Sequence, residues 1–277
     1  MSIDASDVLA AILLGVLEGL SEFLPISSTG HLIVGASLLD LSPALRGSFE
    51  ISIQAGAVLA LLLHYGRDLA ASLGAIRNDA RARHFWAGIL VASLPAGMTG
   101  FLLRDWIKHV LFSPTVVAMA LLAGGVVLLV TDREPRPAAR DAEWHLSLRQ
   151  ALFIGCVQTL ALVPGVSRSA ATIVGAMRVG LDRSSATRFS FWLALPLLGG
   201  ATLFELLEFA GRANPAALGV LLLGCAVSAV VAWLAIAWLL RFVSRHGLAL
   251  FGWYRIGLGL LLLLLTRPGV LPSVPVA

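Results

Sequence analysis

The chain has 277 residues, 58% of them hydrophobic and only 13% charged, with a mean hydropathy of +0.90, whereas soluble globular domains carry about 25% charged residues. That composition excludes a soluble fold and predicts an integral membrane protein. The formal charge of +4 rests on nineteen arginines and the single lysine Lys108; it reads as a topology signal, and no basic stripe with interleaved aromatics speaks for nucleic acid.

With several spans of about 20 residues to accommodate, the length predicts a single membrane domain over 1–277. The first residues, MSIDASDV, carry acids where a secretory signal would carry positive charge, so this segment is expected to stay attached. Cys156 and Cys225 lie in apolar stretches without a CxxC or His/Cys cluster and are expected to be small core residues.

In chain order, residues 8–42 are apolar but broken by Pro25 and the hydroxyl run Ser27-Ser28-Thr29. Spans are expected at about 50–66, 85–103 and 115–131. A second broken region, 146–180, is interrupted by Pro164-Gly165 and Ser167-Arg168-Ser169, and spans at about 189–208, 216–240 and 248–266 follow. Neither half of a broken region is long enough to cross alone. Non-helical backbone at membrane depth needs cover from protein or a water-filled cavity, so both regions are predicted to be re-entrant helical hairpins lining such a cavity. A kinked ordinary span is the other reading.

Arginine-rich loops at 67–84 (Arg67, Arg77, Arg81, Arg83) and 132–149 (Arg133, Arg136, Arg140, Arg149) flank a loop at 104–114 with only Arg104 and Lys108. The two richer loops are expected in the cytoplasm. Tracing outward, the first hairpin opens on the external face, the second, followed by Arg178, Arg183 and Arg188, on the cytoplasmic face, and the C-terminus ends outside.

An offset of 140 residues sets Gly15 on Gly155, Leu20 on Leu160, Ser27 on Ser167, Phe49 on Phe189, and Ile33-Val34-Gly35 on Ile173-Val174-Gly175. Three spans, an odd number, separate the copies, so repeat 1 (about 8–131) and repeat 2 (about 146–266) should insert in opposite orientations with their hairpins meeting near the midplane. The predicted fold class is an all-α polytopic membrane protein: an inverted-topology repeat of six transmembrane helices plus two re-entrant helical hairpins.

Glu18 and Glu22 stand four apart on a helical stretch, which stacks both carboxylates on one face. Intramembrane carboxylates are costly and point to function, and two together suit a hard divalent cation, Mg²⁺ or Ca²⁺, with phosphate oxygens and water completing its shell. Ser27, Ser28 and Thr29 precede a second helical stretch, where one hydroxyl serves as an N-cap. His31 lies within a turn of Ser28, the minimal pair for nucleophilic or acid–base chemistry. Arg168, between Ser167 and Ser169, falls at an expected helix N-terminus, where amides, dipole and guanidinium together favour a phosphate. The constellation predicts a metal-assisted site for a phosphate-bearing, membrane-embedded substrate.

These residues carry a resemblance. LEGLSEFLPISSTGH and PGVSRSAAT resemble the two signatures of the undecaprenyl-diphosphate phosphatase family, the bacitracin-resistance proteins, and the similarity extends through FEISIQAG, with Gln54, and RFSFWLALP at 188–196. The resemblance implies hydrolysis of undecaprenyl diphosphate to undecaprenyl phosphate and inorganic phosphate in the bacterial inner membrane, recycling the cell-wall lipid carrier, with the site toward the periplasm.

Carried over by position, it implies that Glu18 and Glu22 hold the divalent cation, that Ser27, Gln54, Ser167, Arg168, Ser169 and Thr172 bind the diphosphate, and that Ser28 and His31, with Glu22 and Arg168, perform the displacement. Ser28 attacking with His31 as base, direct attack by His31, and attack by a metal-activated water all remain open. A transporter or flippase of a lipid phosphate is the rival reading, because broken helices in inverted repeats also build transporters. Runs of small residues near 121–125 and 217–229 permit close helix packing, within one chain or in a homodimer.

Overall fold

The computed structural model describes residues 5–39, 45, 48–133, 141–209 and 217–266. Among these every regular element is helical: α1 (Ala5–Ser21), α2 (Ser28–Leu38), α3 (Ser48–Ala75), α4 (Ala80–Leu102), α5 (Arg104–Val110), α6 (Pro114–Asp132), α7 (Leu148–Thr159), α8 (Arg168–Arg178), α9 (Arg183–Phe209), α10 (Leu218–His246) and α11 (Ala249–Leu265), with short 3₁₀ turns before and after α7. Local chemistry sets several starts. Asp79 caps α4, Ser113 caps α6 ahead of Pro114, and Ser147 forms a reciprocal capping box with Gln150 at α7.

Five helices, α3, α4, α6, α9 and α10, are long and apolar enough to cross a membrane, and α11 is a shorter apolar helix. Large apolar side chains such as Leu90, Leu222, Leu234 and Leu261 stay exposed on their outer faces, as expected where lipid is the solvent. The chain is therefore a multi-pass membrane protein.

The helices run further than hydropathy predicts. α3 continues nine residues beyond position 66, so Arg67 is helical, and Arg81 and Arg83 belong to the first turn of α4. Of the four arginines assigned to the 67–84 loop, Arg77 alone lies in the connection. Charged residues end an apolar pattern without ending a helix when their side chains reach water at its end. Arg136 and Arg140 lie outside the described residues, as do residues 40–42 of the first broken region and position 216 of the fifth span.

Close packing follows the small residues. Gly15 and Gly19 of α1 meet Gly224 and Ser228 of α10, so the residue numbers rise together and the two helices are parallel. Gly88 and Ala92 of α4 meet Ala151 and Gly155 of α7 in the same parallel sense. Each broken helix thus packs on a long helix from the other repeat. α6 and α11 run antiparallel: Gly125 meets Gly252, while Ala118 meets Gly259.

Cys156 is exposed and Cys225 half-buried, and both are free thiols. The expectation of a core position fails for Cys156 because Gly155 takes the inward face of α7 against Ala92, and the next residue, 100° further round a helix of 3.6 residues per turn, faces out.

Candidate active site

Two breaks in helical structure build the site. α1 ends at Ser21 and α2 starts at Ser28; α7 and its trailing 3₁₀ turn end at Leu162 and α8 starts at Arg168. The residue before each new helix is a serine with positive φ: Ser27 at φ 73, ψ 100 and Ser167 at φ 72, ψ 117. Each side chain caps its helix, Ser27 accepting from the Gly30 amide and Ser167 from the Ala170 amide. Positive φ is uncommon outside glycine and costs of order 1–3 kcal/mol where it is held. The same uncommon turn thus recurs at positions 140 apart.

The two tips are joined by charge. Glu22 Oε1 lies 3.1 Å from Arg168 Nη2, an ion pair with little exposure on either side. Glu22 Oε2 accepts a 2.8 Å hydrogen bond from the Ser28 hydroxyl. Arg168 Nη1 donates to the Ser190 carbonyl at 3.1 Å, its guanidinium sits 5.7 Å from the Phe23 ring centroid, and its Nε is buried without a partner. Ser169, fully buried, donates to the Leu24 carbonyl and contacts the Ser167 hydroxyl, tying the second tip to the first.

Other predicted site residues are placed differently. His31 does not hydrogen-bond Ser28: its Nδ1 lies 2.7 Å from the Ser27 carbonyl and its Nε2 2.6 Å from the Tyr254 hydroxyl. Thr172 is fully buried, its hydroxyl within hydrogen-bond distance of both Gln158 Oε1 and the Arg168 carbonyl, so it is used inside the second hairpin. Gln54 is half-buried on α3, and among the described residues no hydrogen bond links it to the tips.

Two residues of α11 join the site without any sequence motif. One is Tyr254. The other is Arg255, the largest fully buried side chain described, which donates to the carbonyls of Pro25, Ala120, Gly165 and Val166. One guanidinium thereby binds both tips and α6. Gly124 makes room for it, since a Cβ there would collide with Arg255 Nη2. An arginine inside an apolar helix is costly to bury without partners, and that cost is the signal by which the sequence marks it.

The donor set for a cation consists of hard oxygens. Glu18 is 3% exposed and its Oε2 has no hydrogen-bond partner; such an orphaned buried carboxylate oxygen fits a metal ligand. Glu22, one turn on, is its charged neighbour together with Glu50 and Arg168. Among the described residues no group of three His, Cys, Asp or Glu side chains comes together. Two protein carboxylates with substrate oxygens and water as the remaining ligands suit Mg²⁺ better than an all-protein cage would.

These features define a class: a multi-pass, all-α membrane protein in which two broken helices bring a carboxylate, a hydroxyl and a guanidinium together away from bulk water. The family described as "Bacitracin resistance protein BacA" matches residues 11–261, and the chain belongs to that family. It is 47% identical over 256 residues to an undecaprenyl-diphosphatase of Cereibacter sphaeroides, covering 92% of this chain and 95% of that protein. The undecaprenyl-diphosphatase of Parvibaculum lavamentivorans is 46% identical over 92% of this chain and 96% of its own length, and that of Deinococcus radiodurans 44% identical over 96% and 98%.

Proposed function

We propose that the chain hydrolyses undecaprenyl diphosphate to undecaprenyl phosphate and inorganic phosphate, and that the Glu22–Ser28–Arg168 constellation carries the reaction. The observation behind this reading is the Ser28 hydroxyl held against a carboxylate that is itself paired with a guanidinium. Gripping a phosphate for transport needs the arginine; it does not need a hydroxyl presented to a base. That difference favours an enzyme over a lipid-phosphate flippase.

In the proposed step, Ser28 Oγ attacks the terminal phosphorus and passes its proton to Glu22 Oε2. The phosphoanhydride P–O bond breaks and undecaprenyl phosphate departs with the bridging oxygen. Water then supplies a hydroxyl to the phosphorus of the phosphoserine and releases a proton to solvent. Ser28 recovers its hydrogen from Glu22 as inorganic phosphate leaves. Arg168 and the free amides at the N-termini of α2 and α8 stabilise the charge spread over the phosphoryl oxygens. Ser27, Ser167 and Ser169 shape those amides, Thr172 orders the second hairpin behind them, and Gln54 lines the approach from α3. A Mg²⁺ or Ca²⁺ ion between Glu18 and Glu22 would add Lewis-acid neutralisation of the same charge.

The membrane arrangement is part of the proposal. α11 serves as a sixth span, the pairs α1/α2 and α7/α8 re-enter, and the two repeats are inverted, a reading supported by the antiparallel α6 and α11. The site opens to the external face of the inner membrane, and the prenyl tail lies in lipid-facing grooves. A reporter fused after α11 should be active outside; cytoplasmic activity would reverse the orientation.

The test of the reaction is phosphate release from undecaprenyl diphosphate by purified protein in detergent. Wild type should release phosphate, a chelator should suppress it, and Glu18→Gln should lower the rate and blunt its dependence on added Mg²⁺. No release with any divalent ion would sink the enzyme reading, and full activity after chelation would sink the metal assignment alone.

A further inference from the structure

Tyr254 lies on α11, outside both hairpins, and is 47% exposed. Its ring lies beside that of His31 and nearly parallel to it, with centroids 5.5 Å apart and planes within 3°, and its oxygen lies 2.6 Å from His31 Nε2. A carbonyl oxygen only accepts, so the contact of Nδ1 with the Ser27 carbonyl makes Nδ1–H the donor, and in the neutral imidazole Nε2 then accepts the phenolic O–H. The imidazole thereby bridges Tyr254 to the carbonyl of the residue that makes the positive-φ turn.

Backbone in a sparsely populated region persists where its surroundings over-determine it. The two hairpins meet that requirement by different means. At the second tip, Ser169 holds Ser167 from the side and anchors to Leu24, and the position equivalent to His31 is Ala171. At the first tip, the position equivalent to Ser169 is Thr29, and the polar hold on the turn comes from His31.

We propose that Tyr254 is a positioning residue that acts through His31: the Tyr254–His31–Ser27 chain of hydrogen bonds fixes the turn that presents Ser28 to Glu22. The same chain occupies the Nε2 lone pair, so His31 is held away from the Ser28 proton and works as a strut. This inference rests on the reading of Ser28 as the reacting hydroxyl.

Tyr254→Phe keeps the ring beside His31 and removes only the donor. Its kcat for phosphate release should fall about tenfold with KM changed less than about twofold, the effect of losing one hydrogen bond that matters to the reacting geometry. In a His31→Ala background the same substitution should change the residual rate by less than about twofold, because the path through the imidazole is already cut. An equal drop in both backgrounds, or no drop in the first, overturns the proposal.

Nitrogen-15 spectra of histidine-labelled protein, with His31 assigned from the spectrum of His31→Ala, supply a readout independent of turnover. The Nε2 resonance of His31 should move in Tyr254→Phe while Nδ1 stays protonated. An unmoved Nε2 overturns the tie even if wild type releases no phosphate, so failure here and failure of the enzyme reading remain distinguishable.

Discussion

The two hairpins share a backbone and divide the chemistry. Both end one helix, turn through a serine at φ near 72°, and start another of 11 residues with that serine as its cap. Where the first carries Glu18, Glu22, Ser28 and His31, the second carries Gln158, Leu162, Arg168 and Ala171. Acid, hydroxyl and imidazole sit on one tip and the guanidinium on the other, so neither hairpin alone holds a complete set. The two share a serine-capped helix N-terminus and carry side chains of opposite charge on it. The ion pair between Glu22 and Arg168 is the seam where the halves meet.

The strongest way to break this division is at the seam. Arg168→Lys keeps a positive charge on the second tip but loses the planar fork that reaches both Glu22 and Ser190, and phosphate release should fall by about two orders of magnitude or more. Near-normal turnover would make the second tip a scaffold.

A smaller effect separates the packing of the two halves. Gly155 and Gly15 hold equivalent positions, but a Cβ at Gly155 would overlap the Ala92 carbonyl more severely than one at Gly15 would overlap that of Gly224, 2.8 Å away. Gly155→Ala should destabilise the protein by about 1–3 kcal/mol, more than Gly15→Ala, because overpacked backbone cannot rotate away. Thermal unfolding in detergent would show this as an unequal loss, and equal losses would mean that the helices shift freely.

The smallest effect tests the shared turn. Ser27→Gly and Ser167→Gly relieve the positive φ while removing a cap, and these oppose each other to leave a net change of only a few tenths of a kcal/mol at either tip. A large loss at Ser27 but not at Ser167 would show that the turns, alike in angle, differ in what they support.

Much of this comparison is legible in the sequence. The proline breaks, the serine caps and the 140-residue offset locate both tips, because helix endings and repeats leave local marks. The direct pairing of Arg168 with Glu22 does not follow: the sequence assigns the carboxylates to a cation and the guanidinium to a phosphate. Nor does the partner of His31. Spacing of three residues puts His31 and Ser28 on neighbouring faces of α2, yet Ser28 starts the helix and leans out to Glu22, while His31 turns back to the preceding carbonyl and outward to α11. Contacts spanning 223 residues to Tyr254 or 230 to Arg255 leave no mark in local pattern. The extra turns of α3 and α4 escape for another reason: hydropathy follows apolar content, and these helices continue past the end of it.

Arg255 has a consequence for how the protein is made. It belongs to α11, the last helix in chain order among the described residues, and its four carbonyl contacts reach Pro25 in the first hairpin, Ala120 in α6, and Gly165 and Val166 in the second hairpin. Both tips are synthesised well before their common fastener emerges. A ribosome-bound chain thus carries every motif residue and still lacks the clasp that registers one tip against the other. The two tips can therefore be held in register only once α11 has joined them.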